Sequence, residues 1–506
     1  MGNDSQKPVR VRFAPSPTGY LHVGGVRTLL LNYLYAKKTQ GKIVLRIEDT
    51  DQERSTPEAE TLMRTDIQAL GLTFDEGPDE GGDVGPYRQS ERMGIYEKYA
   101  QKLLDEGKAY YCFHTPEQIT EMREAAIKMG QPPHLLDEQI KPLPSEEVEK
   151  RFQQGQTAGL RFRVPKKDMV LEDHVRGKID FKTNSIGDFF ITRSPRGNET
   201  HRGRIGYPVY NFACAIDDAL MGITHVLRGE DHLTNTLKQL FLFEALGFDR
   251  PEFAHISMVL GADRQKLSKR NGDVSSHDYL DKGYLPEALI NFLALLGWWP
   301  SSEFKPSSGH PEVFSLEELI KAFDLKGLQK SAAVFDVQKL NWMNGHYIKH
   351  LDIKDLTFRA RPFFEKSQSV SLEGKSDLWF EQLLSVIRGE VHLLSELPKA
   401  AELFFNAQTQ LEDSAKEVLG ESTALNVVSG FKDRIQKLSQ EIQEDDVMPL
   451  QKEVGKTVGV KGKQLFMPIR AAVTGKTHGP ELKFVLPLLG KDEILKRIDF
   501  HLGQLS

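Results

Sequence analysis

Cysteine is nearly absent from this chain. Its 506 residues include two, Cys112 and Cys214, far apart in sequence. They can build neither a disulfide framework nor a Cys-x-x-Cys metal site, which points to a reducing, cytoplasmic setting. Long apolar runs are missing too. The longest, from Ala288 to Trp299, is too short to span a bilayer and is broken by Asn291 and Gly297. The opening MGNDSQKPVR lacks the apolar core of a secretory signal. No excess of positive charge is present either. The formal net charge of −6 does not advertise nucleic-acid binding, although one face can be basic while the whole is acidic. Neither an internal repeat nor a low-complexity tract interrupts the chain. A composition of 39% hydrophobic and 27% charged residues suits a globular protein with no membrane partner. The length suits about three to five domains.

The most informative stretch is RFAPSPTGYLHVGG, residues 12–25. An apolar-alternating run, Val9 to Phe13, turns through two prolines and Gly19. It then enters a helix whose first turn holds His22, Gly24 and Gly25. A strand that hands its chain to a glycine-lined helix start presents free N–H groups and the positive end of the helix dipole, a place to hold a phosphate. A histidine there can stabilise charge developing during group transfer. Val26, Leu29, Leu30, Tyr33 and Leu34 form an i, i+3, i+4, i+7, i+8 stripe, which predicts a helix over 24–38 with Gly41 as its stop. Ile43 to Ile47 reads as a strand buried on both faces, ending in Glu48-Asp49-Thr50-Asp51. Strand, helix and strand make a βαβ unit. Ligands in such sheets bind beyond the carboxyl ends of the strands, which gathers Arg12, Ser16, His22 and Glu48 around one crevice.

Further along, Thr56-Pro57 opens another helix that Gly71 closes, and a helix is predicted from about Ser90 to Glu106. Residues 115–200 mix a charged helix (116–128), a Pro-rich loop and short strands, and read as an insertion in the parallel-sheet domain. The runs Tyr207–Ile216 and Ile223–Leu227 then read as strands, the second ending at Arg228-Gly229-Glu230-Asp231-His232. Lys266-Leu267-Ser268-Lys269-Arg270 lies on a loop bounded by Gly261 and Gly272, where it suits a polyphosphate clamp or, equally, a solvated basic turn. Beyond residue 280 the pattern is helical. Amphipathic segments at 376–406, 411–442 and 481–503 predict a helical tail.

Taken together and in order, these stretches resemble the class I aminoacyl-tRNA synthetases, and within them the glutamyl-tRNA synthetases of bacterial and organellar type. His22-Val23-Gly24-Gly25 is similar to the HIGH signature and Lys266 to Lys269 to the KMSKS signature. LRIEDTD, GPYRQSER, GITHVLRGEDH, GYLPEALINFLALLG and AVFDVQKLNWMNGHYI are near-verbatim family segments, as is KGKQLF with Pro468, Ile469 and Arg470. The resemblance implies an α/β fold: a Rossmann-type parallel-sheet catalytic domain, an inserted α+β acceptor-binding domain, a stem-contact region and an all-helical C-terminal anticodon-binding domain. The expected boundaries are 1–105 and 204–240 for the two halves of the catalytic domain and 106–203 for the insertion. The stem-contact region is expected at 241–345 and the tail at 346–506.

The implied activity is that of a ligase of protein biosynthesis. Glutamate attacks the α-phosphate of ATP, supplied as its Mg2+ complex, and the acyl group then passes to the terminal adenosine of tRNA(Glu). Charging of tRNA(Gln) as well is left open, and a monomer is expected. By the same resemblance His22, Thr18, Lys266 and Lys269 act on the phosphates. Gly24, Gly25, Asp231, His232 and Val259 complete the ATP site. A substrate with two carboxylates and an ammonium calls for two cations and an anion. Arg12 with Tyr210, and Arg228, match the carboxylate positions and are interchangeable on the sequence. Ser16, Glu48 and the Ala14 backbone match the ammonium position. Cys214 stands where some members carry Asn. Without the resemblance, Arg12 and Arg228 read as strand-end surface residues and Tyr210 as core. Relatives with zinc use closely spaced cysteines and a histidine. Here Cys112 has His114 and His134 nearby, so no structural zinc is expected and no metal site is assigned. Lys461, Lys463 and Arg470 belong to a basic stretch that reads as a phosphate track or as a solvated helix face. The rival readings are a glutaminyl enzyme, a tail-less paralogue acting on a tRNA base, a non-catalytic RNA-binding relative and a small-molecule nucleotidyltransferase.

Overall fold

The alternating run at the start forms strand β1 (Arg10–Phe13). It is followed by helix α1 (Val23–Lys38) and strand β2 (Lys42–Leu45). The two strands pair in parallel from Arg10 opposite Lys42 to Phe13 opposite Leu45, so the expected βαβ unit is present. The computed structural model describes residues 7–51, 55–130, 140–182, 186–195, 203–265, 267, 275–405 and 411–504. Helix α1 is more buried than a single stripe requires. Leu31 and Asn32 are covered as well, and the Asn32 amide donates to the Leu227 carbonyl at 3.0 Å. The stop at Gly41 has a steric cause. A Cβ there would lie 2.2 Å from the Val9 carbonyl oxygen, which accepts the Lys42 N–H.

Strands β3 (Ala109–Cys112), β4 (Gly159–Phe162) and β7 (Phe189–Thr192) make an antiparallel sheet in the inserted region. Strands β5 (Met169–Asp173) and β6 (Gly177–Phe181) form a hairpin. The insertion is not sealed off from the parallel sheet. Strand β5 runs parallel to β9 (Glu252–Ile256), which in turn pairs in parallel with β8 (His225–Gly229). The sheet therefore continues past residue 240, which falls inside the helix Leu233–Leu246. The Tyr207–Ile216 run, read as sheet-like, is instead the core of the helix Tyr210–Leu220. That helix buries Asn211 to Asp218 without a break, so no polar stripe betrays its period.

Contacts divide the chain into two units. One comprises the described residues up to Tyr279 together with Leu289–Asp336. The other comprises Leu280–Ala288 with the described residues from Val337 onward. The helical unit thus begins earlier than residue 346 and recruits a short segment from upstream. Leu285 and Ala288 share a core with Ile348, Leu356, Phe380 and Leu397, and the Leu285 N–H donates to the Asn344 side chain at 2.8 Å. No described helix is long and apolar enough to cross a membrane.

Candidate active site

At the carboxyl ends of β1 and β8 the chain encloses a cavity of about 640 Å³. Arg12, Ala14, Ser16, Thr18, His22, Gly24, Gly25, Glu48, Tyr210, Arg228, Asp231, His232 and Val259 all line it. Two residues of the expected set, Lys266 and Lys269, lie outside the described residues; Leu267 between them lines the cavity. Cys214 does not. It is fully buried, accepts from Arg46 at 3.5 Å and donates to Asp218 at 3.6 Å. Burial, with Asp218 and Glu48 nearby, pushes its thiol up to about 12. A substrate contact from this position would pass through Arg46 or Asp218.

At the start of the first helix, His22 caps α1. The Gly24 N–H donates to His22 Nδ1 at 3.0 Å, which leaves the ring proton on Nε2 and fixes the ring plane. Glycine at 24 makes this possible, because a Cβ there would crowd Nδ1 at 3.2 Å. Val259 sits on a short strand, Val259–Leu260, paired with Ala333–Val334. The Glu230 carboxylate fixes that segment by accepting the Met258 N–H at 2.8 Å. Arg27, one helical turn beyond Gly24, reaches the same segment and donates to the Ser257 carbonyl at 2.6 Å.

Opposite, two guanidiniums face the cavity on different supports. Arg12 donates from Nε to Asp218 at 3.1 Å. Asp218 also accepts from the fully buried Arg46 at 2.7 Å, and Arg46 reaches Glu48 at 3.1 Å. Burial alone would raise the Asp218 carboxyl, but Arg12 and Arg46 outweigh it and hold it below its ordinary value. Glu48 is pushed up by the same burial, only partly countered by Arg46 and Arg12. Arg228 has no carboxylate partner among the described residues. Its Nη2 donates to Thr236 at 2.6 Å and to Gln239 at 2.8 Å, and Nη1 points to the Tyr210 hydroxyl at 3.5 Å. Behind it, Asp173 binds His255 Nδ1 at 2.6 Å, and His255 Nε2 faces both Arg228 and Thr236. Desolvation and the Arg228 charge bring His232 down to about 4, so its ring is neutral near pH 7 and adds no third cation.

Arg228 spends its hydrogen bonds on neutral acceptors and shares the Asp218 charge with Arg12 and Arg46, which suits an anionic ligand, because a buried charge is costly unless paired. Arg46, Asp218, Glu230, Thr236 and His255 were not found from sequence. Their partners are distant, and no local period marks them. The run LRIED does contain Arg46, but as one polar residue in a buried strand.

A parallel sheet whose first strand delivers a histidine-glycine helix start to an arginine-lined cavity fits the class I aminoacyl-tRNA synthetases. The model for "tRNA synthetases class I (E and Q), catalytic domain" matches residues 8–342, and that for "Anticodon binding domain" matches 355–502. The glutamate–tRNA ligase of Carboxydothermus hydrogenoformans is 46% identical over 494 residues, 97% of this chain and 99% of that protein. That of Bacillus pumilus is 42% identical over 98% of this chain and 99% of its own length. A crystal structure of a glutamate tRNA ligase from Elizabethkingia meningosepticum in complex with its amino acid is similar at a TM-score of 0.86 and 32% identity. It covers 99% of this chain and 100% of that one. The chain belongs to the glutamate–tRNA ligase family.

Proposed function

We propose that this chain ligates L-glutamate to tRNA(Glu) in two steps, first forming glutamyl adenylate from ATP and then passing the acyl group to the tRNA 3′-terminal adenosine. The observation that carries the amino-acid choice is the pair of lining arginines beside Glu48, with Arg228 lacking an acidic partner among the described residues. A side chain ending in a carboxylate satisfies such a cation; an amide leaves it unpaired, which disfavours glutamine. In this reading Arg228 takes one substrate carboxylate and Arg12 the other, while Glu48 and Ser16 receive the ammonium.

The substrate carboxylate is the nucleophile, so catalysis rests on positioning and on stabilising charge at the α-phosphate. His22 offers its Nε2–H and the start of α1 its N–H groups, with Thr18 beside them. Lys266 and Lys269 complete the role expected of a polyphosphate clamp, and Asp231 and His232 flank the nucleotide. Mg2+ arrives with ATP, and no residue of this chain is assigned to it.

The remaining proposals concern partners. The acceptor end of tRNA meets the insertion at 106–203, the stem meets 241–345 and the anticodon meets the tail, where Lys461 and Lys463 are exposed and Arg470 is half-buried. No zinc is assigned to the insertion, because Cys112 as its single cysteine leaves a structural site short of thiolates. The enzyme works as a cytoplasmic monomer.

Exchange of labelled pyrophosphate into ATP, measured with tRNA(Glu) present, tests the reading. Dependence on glutamate and not glutamine is expected; exchange driven by glutamine overturns it. Acylation of purified tRNA(Glu) and tRNA(Gln) decides whether the acceptor range includes the second.

A further inference from the structure

At the opposite ends of β8 and β9 from the cavity, about 13 Å of strand away, three ligating side chains converge. His225 and Glu252 open the two strands and are paired in register, and His174 follows β5. Their ligand atoms all lie within 4.8 Å of one another. Glu252 Oε2 is 2.6 Å from His174 Nε2 and 3.5 Å from His225 Nε2.

The His225 ring is held at both nitrogens: the Thr224 hydroxyl lies 2.9 Å from Nδ1, and the Tyr35 hydroxyl lies 3.1 Å from Nε2, the nitrogen that faces Glu252 and His174. One nitrogen turned to the ion and the other held by an orienting hydrogen bond is the arrangement metal-binding imidazoles use. The backbone holds the second ring in place: the His174 N–H donates to the Phe253 carbonyl at 2.9 Å.

We propose that His174, His225 and Glu252 form a site for a divalent first-row transition metal of the zinc class, with water completing the coordination. Two imidazoles and one carboxylate are the donor set such ions take, at bond lengths of about 2.0–2.2 Å. Ligands so bonded stand a little over 3 Å apart, which the His225–Glu252 distance already meets. The His174–Glu252 pair must open by under an ångström. Both side chains are exposed enough to do so, at 38% and 60%. The ion would pin the starts of β8 and β9 to the turn after β5. Asp173, the neighbour of His174, supports His255 behind Arg228, so the metal would brace the joint on which the amino-acid site leans. This site owes nothing to cysteine and is separate from the inserted segment's Cys112.

The test is calorimetric titration of the full-length, chelator-stripped chain with zinc(II) near neutral pH, alongside thermal unfolding with and without the ion. One zinc per chain is expected. Affinity should fall by at least about tenfold in Glu252→Gln and in His174→Gln, both on exposed side chains whose replacement spares the fold. It should be unchanged in His346→Ala, which removes one ring of the stacked His346–His350 pair. Zinc should raise the thermal midpoint of the parent and not of Glu252→Gln. No binding by the parent, equal affinity in the variants, or a loss that follows His346→Ala instead would overturn the proposal.

Discussion

Arg12 and Arg228 line the same cavity, yet the groups that hold them predict different failures. Arg228 rests on the neutral Thr236 and Gln239, so Arg228→Ala should leave few broken ion pairs and mainly lose substrate. We expect kcat/KM for glutamate to fall by about 100-fold in aminoacylation assays, with a far smaller change in KM for ATP, as suits one or two charge-assisted hydrogen bonds. Asp218 is the reverse case. Asp218→Ala should strip two buried guanidiniums of their partner and cost about 3–5 kcal/mol of stability, read from urea unfolding. His22→Ala should lower the rate of adenylate formation by about 100- to 1000-fold, measured as the pyrophosphate burst, while glutamate KM changes little.

Among the elements, β1 and β2 are joined by more than their ladder. Glu76 accepts from Arg10, from Lys42 and from the Tyr87 hydroxyl. The Arg10 bond foremost, then Lys42 and Tyr87, bring its carboxyl from 4.5 down to about 2 against the upward pull of burial. A folded-state value below the unfolded one contributes stability that is complete above about 4.5 and is lost as pH falls toward 2. The urea midpoint of the parent should drop between pH 5 and pH 3; Glu76→Gln should start lower at pH 7 and show a shallower drop over that interval. The βαβ unit around this carboxylate was legible because its signals are local: an alternating strand, an apolar stripe, a glycine stop. The Tyr210–Leu220 helix mimics a strand in the sequence because burial from Asn211 to Asp218 erases the exposed polar face that separates the two periods. The site divides the same way. Arg12, His22, Glu48 and Arg228 stand in short motifs at strand ends. Asp218, by contrast, meets Arg46 across 172 positions, and Glu230 and His255 act through neighbours, so neither composition nor spacing marks them.

For the whole molecule, both chemical steps are proposed to fall to the cavity and tRNA reading to the tail. Between Lys452 and Lys476 the exposed lysines Lys452, Lys456, Lys461, Lys463 and Lys476 face solvent, while Arg470 is half-buried and held below its ordinary value by desolvation. Lys461→Ala with Lys463→Ala should weaken tRNA binding and reduce the slope of log affinity against log salt by about one to two, without altering unfolding. Such a change would identify a phosphate track and dismiss the solvated-face reading. The proposed role of the cavity is to pair a glutamate with ATP and pass the acyl group to tRNA. Its most direct test is ATP-dependent charging of purified tRNA(Glu) with labelled glutamate by the parent, Arg228→Ala and His22→Ala chains. Glutamyl-tRNA formed by the parent and strongly reduced in both variants is the predicted result; no glutamyl-tRNA from the parent, or charging by Arg228→Ala at the parent rate, would contradict it.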